Sequence, residues 1–200
     1  MTGLEFEPEE HVYKFDGVVV PSVTGIIELW SEVAKLPAEI LIPAGIRGSR
    51  VHLATELDDE GDLNEEWAEE VGMMGYVLGW RKFKRDHGLV TEAREQRIYH
   101  PLHRYAGTLD VLGKMLWPVG RIRRECRTLL DIKSGVKDPT HAMQTAGYSA
   151  PIGHRGKRGC VYLTEDGKYE LEEHPSNNHD WADFLACKRQ YDFNKKHGLL

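Results

Sequence analysis

Three strand-like segments in immediate succession, at residues 89–99, 106–113 and 123–133, constrain this chain more than any other feature. Parallel neighbours need a crossover of about a dozen residues or more, usually helical. The connections here are shorter, and the second carries a Trp117-Pro118-Val119-Gly120 turn, so hairpins are expected. A long helix is expected before them at 64–86, where Trp67, Val71, Met74, Leu78 and Phe83 recur at roughly helical spacing and His87-Gly88 supplies the stop. After them, Pro139 and Thr140 open a helix through about Ser149, and a strand follows at 159–163. Helix, three hairpin-linked strands, helix and strand imply an α/β protein of the α+β type. Its mixed central sheet is flanked by helices, unlike a doubly wound parallel sheet.

The flanking segments read as additions to that core. Residues 11–20 alternate as a hairpin around Asp16-Gly17, and Pro21 ends it. Ser22 or Thr24 caps a short helix through Leu29 and Trp30. Pro37 and Pro43 bracket a connecting segment, and a helix is expected at 46–57, opened by Arg47-Gly48-Ser49-Arg50. At the other end, Glu165-Asp166-Gly167-Lys168 turns the chain into a strand at 169–173, and an amphipathic helix spans 180–196. No repeat or linker interrupts the chain. One domain over residues 1–200 is expected: a core at about 45–164, an N-terminal hairpin and helix at 1–44, and a C-terminal strand and helix at 165–200.

No stretch approaches the roughly 20 apolar residues that span a bilayer, so no membrane partner is expected. The first residues lack the basic and apolar regions of a signal peptide. The three cysteines, Cys126, Cys160 and Cys187, are far apart and read as reduced, which makes the cytoplasm the expected location. The net charge of −6 is unevenly distributed. Residues 51–80 hold nine acids and no lysine or arginine; the remainder balances 26 bases against 23 acids. Basic clusters at Arg121, Arg123, Arg124 and Arg127, and at His154, Arg155, Lys157 and Arg158, leave room for a locally positive nucleic-acid path.

Chemistry concentrates in two short motifs, Gly107-Thr108-Leu109-Asp110 and Asp131-Ile132-Lys133. Alternation along a strand puts Asp131 and Lys133 on one face and Ile132 on the other. Burying such a pair at the end of an apolar strand is costly without partners. Asp110 and Asp131, from adjacent strands, offer oxygen ligands suited to Mg²⁺ or Mn²⁺. Lys133 beside them stabilises charge on a phosphate or a water. His52, on the short helix, is a further ligand of common type or a structural histidine. Gln144 and Tyr148, four apart on the following helix, share a face. They either orient a phosphate or complete a polar helix surface.

These elements occur in an order that resembles the PD-(D/E)XK nuclease superfamily, in its RecB-type and phage exonuclease branch, which includes the mitochondrial genome-maintenance exonuclease family. The matching text is Gly48-Ser49-Arg50-Val51-His52, Glu95, Gly107-Thr108-Leu109-Asp110, Asp131-Ile132-Lys133 and Gln144-Thr145-Ala146-Gly147-Tyr148. Tyr13-Lys14-Phe15-Asp16-Gly17 through Pro21-Ser22-Val23-Thr24 matches the N-terminal hairpin of those members, so the likeness covers about 11–164. The resemblance implies a restriction-endonuclease-like fold with an αβββαβ core. It further implies that Asp110, Asp131, His52 and the Ile132 carbonyl bind one or two Mg²⁺ or Mn²⁺ ions, with Glu95 serving a second metal or the fold. Lys133 would position the attacking water or stabilise the transition state, and Gln144 and Tyr148 would support the site. The implied activity is a metal-dependent DNA exonuclease of phage-type recombination, replication or DNA-end processing, located in the host cytoplasm if phage-encoded. An endonuclease and a non-catalytic nucleic-acid-binding member are the alternatives. Ring-forming relatives suggest a homo-oligomer, or a single-strand annealing or binding protein as partner. The chain departs from the pattern in having Asp131 where Glu is more frequent, in the long interval to it from Asp110, in lacking a proline before Asp110, and in lacking the cysteines of iron–sulfur members, so no cluster is expected.

For DNA, Arg47, Ser49 and Arg50 at the expected helix start favour phosphate through backbone N–H groups, or are ordinary capping residues. Arg121 and Arg124 on the hairpin are candidates to grip the backbone. Trp117 or Tyr105 is a candidate to stack on bases, although most of the five tryptophans are expected in the core.

Overall fold

The computed structural model describes residues 3–175 and 179–200. Short connections make hairpins of β4 (Val90–His100), β5 (Tyr105–Val119) and β6 (Ile122–Lys133). The chain then crosses through α5 (Thr140–Ser149) to β7 (Lys157–Leu163), which pairs parallel to β6, and β8 (Tyr169–His174) returns antiparallel. The result is a five-stranded mixed sheet in sequential order, with helices on both faces.

One face carries α2 (Ala38–Glu60), α3 (Glu65–Glu70) and α4 (Met74–His87). Val51, Ala54, Val77, Trp80 and Phe83 pack there on Val111, Met115, Trp117, Leu130 and Val161. The opposite face carries α1 (Val23–Ile27), α5 and α6 (His179–Lys196), with Val23, Ile26, Tyr148 and Phe184 against Ile98, Leu109, Leu112 and Leu129. A second sheet of β1 (Leu4–Glu7), β2 (Val12–Phe15) and β3 (Val18–Val20) leans on the first. Its Phe15 ring stacks on Tyr99 with centroids 3.8 Å apart. The Asp16-Gly17 turn has φ of 49° and 74°, the paired positive values that a two-residue hairpin prefers. Strand β1 has no counterpart in the sequence reading, because its partner β2 lies across a connection with no tight-turn signature.

Two helix expectations are corrected. The helix at 46–57 begins eight residues earlier, at Ala38, and runs through Pro43, which lacks an N–H and crowds the Glu39 carbonyl. Arg47-Gly48-Ser49-Arg50 is therefore helix interior, where backbone N–H groups are already spent on the helix. The single helix at 64–86 is two, because Gly72 (φ 73°) ends α3. There Gly72 N–H bonds Glu69 O at 3.0 Å and Met73 N–H bonds Ala68 O at 2.7 Å, the paired bonds of a glycine helix stop. The acidic run is no simple solvated face: Asp58 and Asp59 pair with Arg81, Lys84 and Arg94. No helix among the described residues is long and apolar enough to cross a membrane.

Candidate metal centre

The site lies where β5 and β6 part. Their ladder runs from the hairpin tip to Val111↔Leu130 and stops. Beyond it, Asp110 Oδ2 accepts the Ile132 N–H at 2.6 Å, so a carboxylate replaces the next ladder carbonyl. The strand geometry also changes here. Leu109 and Val111, two residues apart, pack in opposite layers, whereas unbroken alternation would put them on one face. On β4, Ala93 and Ile98 share a layer despite their odd spacing. Between them lies Glu95, which has φ 43° in the left-handed region that strains a non-glycine residue.

That distortion brings Glu95 to His52 and Asp110. His52 Nδ1 lies 3.7 Å from Glu95 Oε1 and 3.6 Å from Asp110 Oδ2. Ligand atoms of the three lie within 4.8 Å of one another. Asp131 stands beside this trio, engaged by Lys133 Nζ at 2.7 Å and by the Cys160 thiol at 3.7 Å. Lys133 also donates to Gln144 Oε1 at 2.9 Å, and Gln144 Nε2 donates to the Tyr148 hydroxyl at 3.0 Å. Gly107 makes room for that ring: a Cβ there would lie 2.8 Å from Tyr148 Cε1. All of these residues except Cys160 line one cleft of about 710 Å³, walled by β2 and by α2.

The electrostatics follow from crowding. Burial raises the Asp110 carboxyl to about 7, with His52 opposing and Asp131 and Glu95 adding. Burial opposes the charge on His52, but Asp110, Glu95 and Asp131 outweigh it and lift the imidazole to about 9. Burial likewise opposes the Lys133 ammonium, and Asp131 more than compensates. Burial, with Asp131 and Asp110, pushes the Tyr148 phenol well above its ordinary range. In the protein alone, a proton on His52 thus serves as the counter-charge for several acids.

A divalent cation fits that donor set. Glu95 Oε1 is buried without a hydrogen bond among the described residues. One imidazole nitrogen and neighbouring carboxylate oxygens are ligands for Mg²⁺ or Mn²⁺. His52, Glu95 and Asp110 would hold the ion, with Asp131 adjacent.

Other sequence candidates are not brought to this point. Arg47 and Ser49 line the cleft, but from mid-helix, and Arg50 points to a separate surface cavity. Arg124 and Arg121 lie towards the β5–β6 tip, seven and ten residues from Asp131 and thus about 24 and 34 Å away by strand rise. Trp117 and Tyr105 are fully buried, Tyr105 donating to Gly147 O at 2.8 Å, so neither is available to a base. In the second basic cluster, Arg158 and Lys157 are already engaged. Arg158 is buried on Asp180 and the backbone of α5, and Lys157 pairs with Glu173. Two site residues escaped the sequence reading. Glu56 lines the cleft one helical turn after His52, and that i, i+4 spacing was a usable signal. Cys160 sits in register with Asp131, a relationship that exists only once β6 and β7 pair.

No protein-family model and no curated protein matches the chain.

Proposed function

We propose that this protein is a metal-dependent nuclease that hydrolyses DNA phosphodiester bonds from an end, in the manner of the PD-(D/E)XK exonucleases its motifs resemble. The observation that carries the reading is the buried, unbonded Glu95 Oε1 beside His52 and Asp110, with the Asp131–Lys133 pair at 2.7 Å next to it. A structural salt bridge needs no such surplus of ligand atoms in a cleft.

A divalent cation supplies Lewis-acid polarisation of a phosphoryl oxygen and a lower pKa for water. The chain's own residues do the rest. His52, Glu95 and Asp110 would hold the ion, His52 as the neutral imidazole. Lys133, kept protonated by Asp131, acts as a fixed positive charge for the transition state and not as a base. Gln144 holds that ammonium in place. Tyr148 accepts from Gln144, so its own hydrogen remains available to a phosphate oxygen in the cleft.

Digestion of end-labelled linear DNA and closed circles with Mg²⁺, Mn²⁺ or EDTA tests this reading. Linear DNA should be degraded with either metal, circles should survive, and EDTA should stop the reaction. Undiminished digestion in EDTA, or by Asp110→Asn, would falsify the mechanism; cleavage of circles would make the enzyme an endonuclease.

A further inference from the structure

A second cavity, of about 560 Å³, is bounded by Val20, Pro21, Arg104, Leu185, Lys188 and Arg189. It is separate from the carboxylate cleft but adjoins it through the chain: Pro21 lines one and Ser22 the other. Its charge is opposite to that of the whole molecule. In a chain of net charge −6, three cations surround it, against the single carboxylate of Asp192. Asp192 is taken by Lys188, which is buried. Among the described residues, the side chains of Arg104 and Arg189 make no hydrogen bond or ion pair.

Arg104 is an exposed residue in a disfavoured backbone conformation. It ends the tight connection between His100 and Tyr105, which pair across β4 and β5, and it has φ 49°. Glycine or asparagine adopts that conformation at lower cost. An arginine there keeps a charged side chain over the cavity in spite of its backbone. Val20, Pro21 and Leu185 add apolar lining to the same cavity. A cavity lined by both cations and apolar side chains suits a ligand with both a phosphate and a carbon-rich ring.

We propose that this cavity binds a nucleotide phosphate, with Arg104 and Arg189 as its charged contacts and Val20, Pro21 and Leu185 seating the sugar or base. Arg104 lies six residues before Asp110 on the β5 side of the sheet, about 20 Å by strand rise. At about 3.4 Å per nucleotide that is some six nucleotides of a stacked strand. The occupant is then either a strand whose end lies in the cleft, which rests on the nuclease reading, or a free mononucleotide, which does not.

Binding measured in EDTA separates these sources from failure of the nuclease reading, since no hydrolysis is required. The probes are a fluorescein-labelled oligothymidylate of about 20 nucleotides, long enough to span both sites, and thymidine monophosphate as competitor. The variant is Arg104→Asn/Arg189→Gln, chosen because asparagine tolerates the left-handed backbone. Loss of the two contacts should weaken oligonucleotide binding about tenfold and flatten the log–log salt dependence by about 1.4. The Mn²⁺-induced rise in melting temperature should stay as in the unaltered protein, because the metal cleft is elsewhere. Competition by the monophosphate identifies a free nucleotide as the occupant; weakened binding without competition identifies the strand. Unchanged affinity and salt slope in the variant, or no binding of either probe to the unaltered protein, overturns the proposal.

Discussion

The Asp110 carboxylate accepts the backbone N–H of Ile132 at 2.6 Å, at the place where β5 and β6 cease to pair. One side chain thereby closes the ladder and holds a ligand oxygen beside His52. Sheet geometry and the proposed metal site meet in this residue.

Asp110→Asn keeps the shape of the site but removes a charge. Asp110 is raised from 3.8 to about 7, so the folded state favours its protonated form. This group's contribution is complete below about pH 4 and declines as pH rises to about 7. Metal-free Asp110→Asn should therefore melt higher than the unaltered protein at pH 8, while DNA hydrolysis is lost. Thermal melts in EDTA across pH 4–8 check it; a lower melting temperature for the variant at pH 8 is the contrary result.

Adding Mn²⁺ should restore what ionisation costs. A ligand at about 100 times its Kd stabilises by about 2.7 kcal/mol. In a chain of this size each kcal/mol raises Tm by about 2–4 °C. Glu95→Gln should lessen that rise without unfolding the protein, since Glu95 Oε1 accepts no hydrogen bond and loses only its 3.7 Å ion pair with His52. Equal Mn²⁺ shifts in both proteins would remove Glu95 from the metal site.

Lys133→Met should lower kcat about 100- to 1,000-fold, the usual effect of deleting a fixed charge aimed at a transition state. Metal binding should survive, because Lys133 contacts Asp131 and Gln144, not the His52 trio. Single-turnover kinetics with a Mn²⁺ titration separates the two effects.

Gly107→Ala should destabilise by about 1–3 kcal/mol through overpacking. The new methyl would meet Tyr148 Cε1 at 2.8 Å and Val23 Cγ2 at 3.2 Å. Urea unfolding measures the cost, and Gly107→Ala combined with Tyr148→Leu should recover part of it.

Asp138 supplies an acid-sensitive clasp. It accepts from Ser31 Oγ, Val33 N–H and both Thr140 donors, tying the segment after α1 to the start of α5. Burial pushes its carboxyl upward, but these bonds hold it at about 2. The resulting stability, about 2 kcal/mol, is present above pH 4 and is lost as pH falls through 2. Urea midpoints at pH 6 and pH 2.5 should converge for Asp138→Asn relative to the unaltered protein. Parallel pH dependence in both would contradict it.

The elements legible in the chain were those set by neighbours. Asp16-Gly17 specifies its hairpin, His87-Gly88 ends α4, Pro139-Thr140 opens α5, and alternation puts Asp131 and Lys133 on one face. Each depends on backbone preferences within a few residues, which the local sequence carries in full. Contacts between distant residues decided the remainder. Glu95 reaches His52 because β4 twists at a strained backbone position that no propensity announces. Trp117, Tyr105 and Arg158 looked available to DNA and are buried by helices elsewhere in the chain. Ligand groups, cleft walls and cationic cavity come from segments tens of residues apart. Their positions follow from how layers pack on the sheet, and one-dimensional spacing does not encode packing.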